Sequence, residues 1–182
     1  MSNEHDPGGK RLLALPEGTE GVAIFGGDRN EYRYVLARVW DKTLPAVLFV
    51  MMNPSTADPN YDDPTVAKCG RFARKWGYGR LFVGNTFAYR CTDQSRLVET
   101  FDPVGPRNDL FLASMAKKAD KVIFAFGKPK HKQLRGRGFS VARQIAALGK
   151  HPHALRLSTD NTPWHPLYLP EETTVPFPWS FE

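Results

Sequence analysis

The feature that most constrains this chain is a series of short, almost unbroken apolar runs separated by helix-like segments. Ala46 to Met51, Leu81 to Gly84, Lys121 to Phe126 and Ala154 to Leu157 lack the alternation of a strand with one wet face. Such runs are expected of strands covered on both sides of a parallel sheet. Between the first two, Pro64 to Trp76 is predicted as a helix, with Asp63 as N-cap and Pro64 at the first helical position. Val66, Phe72 and Ala73 would face the sheet. Asn108 to Lys118 and Phe139 to Leu148 are the next predicted helices, the second stopping at Gly149. The alternation predicts an α/β fold, with three α/β/α layers around a central, mostly parallel four-stranded sheet.

Upstream, Gly21 to Phe25 and Glu31 to Trp40 are β-rich runs around GGDRN, which predicts an antiparallel hairpin at a sheet edge. Residues 1–20 are polar and carry Gly8, Gly9, Pro16 and Gly18, so a flexible tail is expected there, with a single domain over 21–182. After Leu157 the chain is too proline-rich for a helix or strand interior and is expected to wrap along the surface. Cys69 and Cys91 are too few for a disulfide framework or a four-thiolate metal site, and no metal or cofactor is expected. No run is long enough to span a membrane and no signal peptide is recognisable, so the expected location is cytoplasmic. The excess of 25 Lys+Arg over 19 Asp+Glu favours polyanionic partners without identifying one.

Ligands of open parallel sheets sit beyond the carboxyl ends of the strands, which directs attention to four segments. MMNPSTAD follows the first run and sets Asn53 before Pro54, a short amide able to hold a water or simply to bond its own turn. GNTFAYR follows the second, and Asn85 offers a donor and an acceptor on one planar group, suited to a nucleobase edge or to loop backbone. FGKPKHK follows the third and opens a basic loop with Lys128, Lys130, Lys132, Arg135 and Arg137, suited to phosphates or to plain solvation. STDNTPWHPLYLP follows the fourth, with His165 before Pro166 and bulky Tyr168 and Leu169 beyond.

In this order and spacing, over roughly residues 46–170, the four segments resemble the uracil-DNA glycosylase superfamily. Asn53-Pro54-Ser55 is similar to its first motif in the form where Asn replaces the water-activating Asp. LFVGNTFAYR resembles the strand whose terminal Asn reads the uracil edge, and His165-Pro166 resembles the second motif, whose His contacts uracil O2. Leu169, four residues after the His, matches the apolar residue that fills the gap left by the flipped base. The chain also resembles a bacterial domain-of-unknown-function family sharing NPSTAD and HPLYLP. Met52 and Ser55 depart from the superfamily's usual residues, and Tyr61, Phe72 and Phe87 are alternatives for the aromatic that stacks on the base.

The resemblance implies a cofactor-free, monomeric hydrolase for base excision repair, which binds single- or double-stranded DNA and releases free uracil or a related deaminated base. His165 and Asn85 would stabilise the departing base anion, while Asn53 would orient water without ionising. Two other readings use the same residues. One is a glycosidase acting on free nucleosides or nucleotides, and the other is a noncatalytic nucleic-acid binder.

Overall fold

The computed structural model describes residues 4–9 and 11–181. In chain order the elements are β1 (Leu13–Ala14), β2 (Glu20–Gly26), β3 (Tyr32–Val39), β4 (Ala46–Met51), β5 (Tyr61–Asp62), α1 (Pro64–Lys75), β6 (Arg80–Asn85), α2 (Ser95–Glu99), α3 (Asn108–Lys118), β7 (Lys121–Phe124), α4 (Arg137–Ala146), β8 (Pro152–Ala154) and β9 (Phe177–Pro178). Short 3₁₀ turns cover Lys132–Leu134 and Pro166–Tyr168.

The result is a mixed α/β fold built on a seven-stranded sheet ordered β2-β3-β6-β4-β7-β8-β9, beside a two-stranded sheet of β1 and β5. β6, β4, β7 and β8 run parallel, while β2, β3 and β9 join antiparallel at the two edges. Alternation along β4 explains how both faces are covered. Val47, Phe49 and Met51 enter the core beneath α1, whereas Leu48 and Val50 enter the core beneath α3 and α4. All six residues of β4 are buried, which is why the strand reads as a continuous apolar run.

The helix starts follow local chemistry. Asp63 Oδ1 accepts the Val66 N–H at 2.9 Å and Pro64 occupies the first turn. Asp120 Oδ2 accepts the Ala46 N–H at 2.7 Å, tying the start of β4 to the turn before β7.

Several expectations are corrected. The sheet has seven strands instead of four, because the hairpin and the C-terminal strand pair directly with its edges. The last parallel strand is Pro152–Ala154, with Leu157 only in an isolated bridge to Pro163, and α4 begins two residues before Phe139. The proline-rich C-terminus contributes β9, possible because an edge strand leaves one row of backbone groups unpaired. The expected tail is anchored where it is described: β1 pairs with β5, the His5 ring bonds the Arg90 carbonyl at 2.6 Å, and the Thr92 N–H donates to the Pro7 carbonyl. Among the described residues no helix is long and apolar enough to cross a membrane.

Candidate functional site

The parallel register sets Met51 of β4 opposite Asn85 of β6, so the turns leaving both strands start side by side. The Thr86 and Phe87 N–H groups then donate to the carbonyls of Met51 and Met52, holding the two exits together. β7 ends at Phe124, and three residues beyond it Gly127 has a φ of +68° that suits glycine and donates its N–H to the Pro163 carbonyl. A Cβ there would lie 3.3 Å from His165 Cβ, so the glycine admits the loop that carries the imidazole. Beyond these ends lies a cavity of about 350 Å³, and Met52, Asn53, Ser55, Asn85 and His165 all line it.

Within it the polar atoms have distinct environments. The His165 Nδ1 accepts the Leu167 N–H at 3.3 Å, which leaves Nε2 as the proton-bearing nitrogen of the neutral ring. Burial lowers the His165 pKa to about 4, with Asp63 opposing and Lys68 reinforcing the shift. Asn53 Nδ2 donates to the Cys91 carbonyl at 2.6 Å and to its own turn at the Pro54 carbonyl, leaving its Oδ1 as the group without a protein partner among the described residues. Ser55 Oγ pairs with Thr92 Oγ1 at 2.7 Å, closing the rim against the N-terminal segment. The main-chain carbonyl of Asn85 accepts from Asn108 Nδ2 at 2.8 Å, so a fully buried side chain of α3 fixes the strand end.

Other expected site residues lie elsewhere. Phe72 has no exposure and stacks on Trp76 in the α1 core, and Phe87 is buried in the opposite core. Tyr61 is exposed on β5, so none of the three expected stacking aromatics reaches the cavity. Leu169 is 3 % exposed in the core beneath α1, and Lys68 Nζ donates to the carbonyls of Leu167 and Leu169. It cannot act as a wedge, whereas Leu167 and Tyr168, at 41 % and 76 % exposure, project from the same turn. The basic loop lies outside the cavity lining. Lys128 pairs with Asp160, Arg137 with Asp109 and Arg135 with backbone carbonyls, so only the Lys130 and Lys132 side chains lack a partner among the described residues.

Among the lining residues that went unrecognised in the sequence, two bear on the chemistry. Arg33 of β3 is 2 % exposed, donates to the Ala57 carbonyl at 2.8 Å and reaches Asn85 Oδ1 at 3.4 Å. Asp63, expected only as an N-cap, is the one carboxylate among the described lining residues, and its Oδ2 has no hydrogen bond to protein among them. The available signal for Arg33 was a charged residue inside the apolar run YRYVLARV. No group of three or more His, Cys, Asp or Glu able to hold a metal occurs among the described residues. Burial raises both thiols that line the cavity, Cys91 to about 11, so neither is a ready nucleophile.

The depressed His165 pKa has a stability consequence. With a folded value near 4 and a reference near 6.5, the unfolded chain binds more protons between those limits, so stability falls as pH drops through that window. The slope from this group approaches about 1.4 kcal/mol per pH unit at most. Urea unfolding at pH 7.5 and pH 5 is expected to show this loss in wild type and a smaller one in His165→Gln.

Comparison with known proteins gives one match, in which the sequence model of a family described as a protein of unknown function (DUF1643) covers residues 33–167. No curated protein and no solved structure matches the chain.

Proposed function

This chain belongs to the DUF1643 family, and from its site we propose that it is a DNA N-glycosylase, a monomer that acts in the cytoplasm and removes uracil or a related deaminated base from DNA. The reading takes the four parallel strands as a uracil-DNA glycosylase-like core. Its main support is one observation: Asn53, Asn85 and His165, more than 100 residues apart at their extremes, line the same cavity.

The chemistry follows from the donors. Cleaving the bond between sugar C1′ and the base nitrogen sends the bonding electrons into the pyrimidine, so negative charge grows on its carbonyl oxygens. His165 Nε2–H and the Asn85 amide stand as donors to that charge, and neither has to change protonation state during the step. Water adds its oxygen to C1′ and must lose a proton. Asn53 orients that water through Oδ1 but cannot ionise, and Asp63 supplies the acceptor, returning the proton through solvent to the departed base. The neighbouring Lys130 and Lys132 are available to phosphates, and Arg11 at the cavity rim adds a third exposed cation.

One observation favours a second reading. With Leu169 in the core, the apolar filler expected of a base-flipping enzyme is lacking at that position, which suits a glycosidase acting on nucleosides or nucleotides. The two separate in one experiment. Full-length protein is incubated with uracil, hypoxanthine and thymine-mismatch oligonucleotides, then with alkali to cut abasic sites, in parallel with free nucleosides. Strand cleavage in uracil DNA is expected, lowered about 10²–10³-fold in His165→Ala by loss of one donor to the leaving group. Release from nucleosides alone would favour the second reading. Oligonucleotide binding without any product would point to the noncatalytic one.

A further inference from the structure

We infer that Arg33 is a positioning residue that locks the Asn85 carboxamide with its N–H₂ toward the cavity, so that the site takes bases bearing a carbonyl there and rejects those bearing an amino group; this rests on the pyrimidine-site reading above. The guanidinium comes from the second residue of β3, at the start of that strand's buried stretch, and is 2 % exposed. One arm, Nη1, donates to the Ala57 carbonyl at 2.8 Å, and the other, Nη2, points at Asn85 Oδ1 at 3.4 Å. Its Nε has no partner, and no carboxylate contacts it directly among the described residues, although Asp63 and, more weakly, Asp62 favour its charge from a longer range. A buried cation that no carboxylate contacts directly is costly, and apolar side chains of similar volume would fill the space at less expense. What apolar side chains cannot do is hold an amide in one orientation.

The orientation follows from donor counting. Guanidinium carries donors only, and a carboxamide has one accepting and one donating end. With Oδ1 toward Arg33 the pair is attractive. Rotated by half a turn, the N–H₂ group would face a buried cation, setting donors against donors where water cannot intervene. At 3.4 Å the bond is long, so its sign, more than its strength, selects the rotamer. Burial lowers Arg33 to about 10, still well above neutrality, so its donor role persists across the working pH range. The backbone beneath is held too, because Asn108 Nδ2 donates to the Asn85 and Thr86 carbonyls. Asn85 Nδ2 has no protein partner among the described residues and is left for a ligand acceptor. A carbonyl satisfies it, whereas an amino group brings a second donor to the same point.

The test uses free uracil and free cytosine as probes, titrated into the full-length ¹⁵N-labelled protein, so it does not depend on catalysis. The Asn85 side-chain amide signals are assigned by their loss in Asn85→Ala. In wild type they are expected to shift with uracil and not with cytosine, and uracil should bind at least about 10-fold more tightly. In Arg33→Met the amide is free to rotate, and the preference should fall to within about threefold, while Arg33→Lys, which keeps a donor, retains most of it. An undiminished preference in Arg33→Met overturns the positioning role and leaves the pyrimidine site standing. Should Arg33→Met not fold, the wild-type titration still decides, because Asn85 amide signals unmoved by bound uracil overturn the inference. Failure of wild type to bind either base overturns the pyrimidine-site reading and the inference with it.

Discussion

Replacing Asp63 by Asn is expected to lower release of uracil from an oligonucleotide by about 10²–10⁴-fold, the usual scale of a lost general base, while the protein stays folded. The substitution isolates proton acceptance from structure. Asp63 Oδ1 caps α1 by accepting the Val66 N–H, and Asn is as good an N-cap as Asp, so the helix start should survive. What disappears is the one carboxylate among the described residues of the cavity, and with it the group that can take a proton from water beside a non-ionising Asn53. Single-turnover excision and thermal unfolding of the same preparation separate the two effects. Equal activity in wild type and Asp63→Asn, with equal stability, would remove the carboxylate from the mechanism.

The neighbouring residue should give the largest change in stability. Asp62 lies in β5 with its side chain toward β3, where Arg38 Nε and Nη2 both meet its Oδ1 at 2.9 Å, and both side chains are almost wholly buried. Asp62→Ala leaves that guanidinium in the interior with, among the described residues, only the carbonyls of Ala37, Asp58 and Tyr61 as acceptors. Removing one partner of a buried ion pair strands the other charge, a loss of about 3–5 kcal/mol. Urea denaturation is the measurement, and a change below about 1 kcal/mol would mean that the carbonyls alone satisfy Arg38. Two adjacent aspartates thus have opposite tasks. Successive side chains of an extended chain point to opposite sides, so Asp62 enters the protein while Asp63 turns to the cavity and the helix.

Legibility differed from residue to residue for physical reasons. β4 was readable because burial on both faces requires six apolar residues in a row. α1 was readable because Asp63 and Pro64 act on their own local backbone. Leu169 was misread because spacing from His165 carries no directional information. The 3₁₀ turn Pro166–Tyr168 returns Leu169 to the core and projects Leu167 and Tyr168 instead. The charges of the basic loop were plain, but their partners were not, since Asp109 lies 28 residues before Arg137 and Asp160 lies 32 after Lys128. Phe72 showed the conflict in small: an aromatic eligible for a site was also on the sheet-facing side of its helix, and the core took it.

The sequence by itself determined the hairpin, β4, β6, β7 and the main helices, because periodicity, caps and turn residues act over a few neighbouring positions. It also singled out Asn53, Asn85 and His165 as candidates for a site. Only the tertiary structure decided that they share one cavity, that Arg33 lies buried against Asn85, that Asp63 faces the same space, and that the edges extend the sheet to seven strands. Those outcomes depend on contacts between residues dozens of positions apart, where burial and partner choice are settled by packing and leave no local pattern to read.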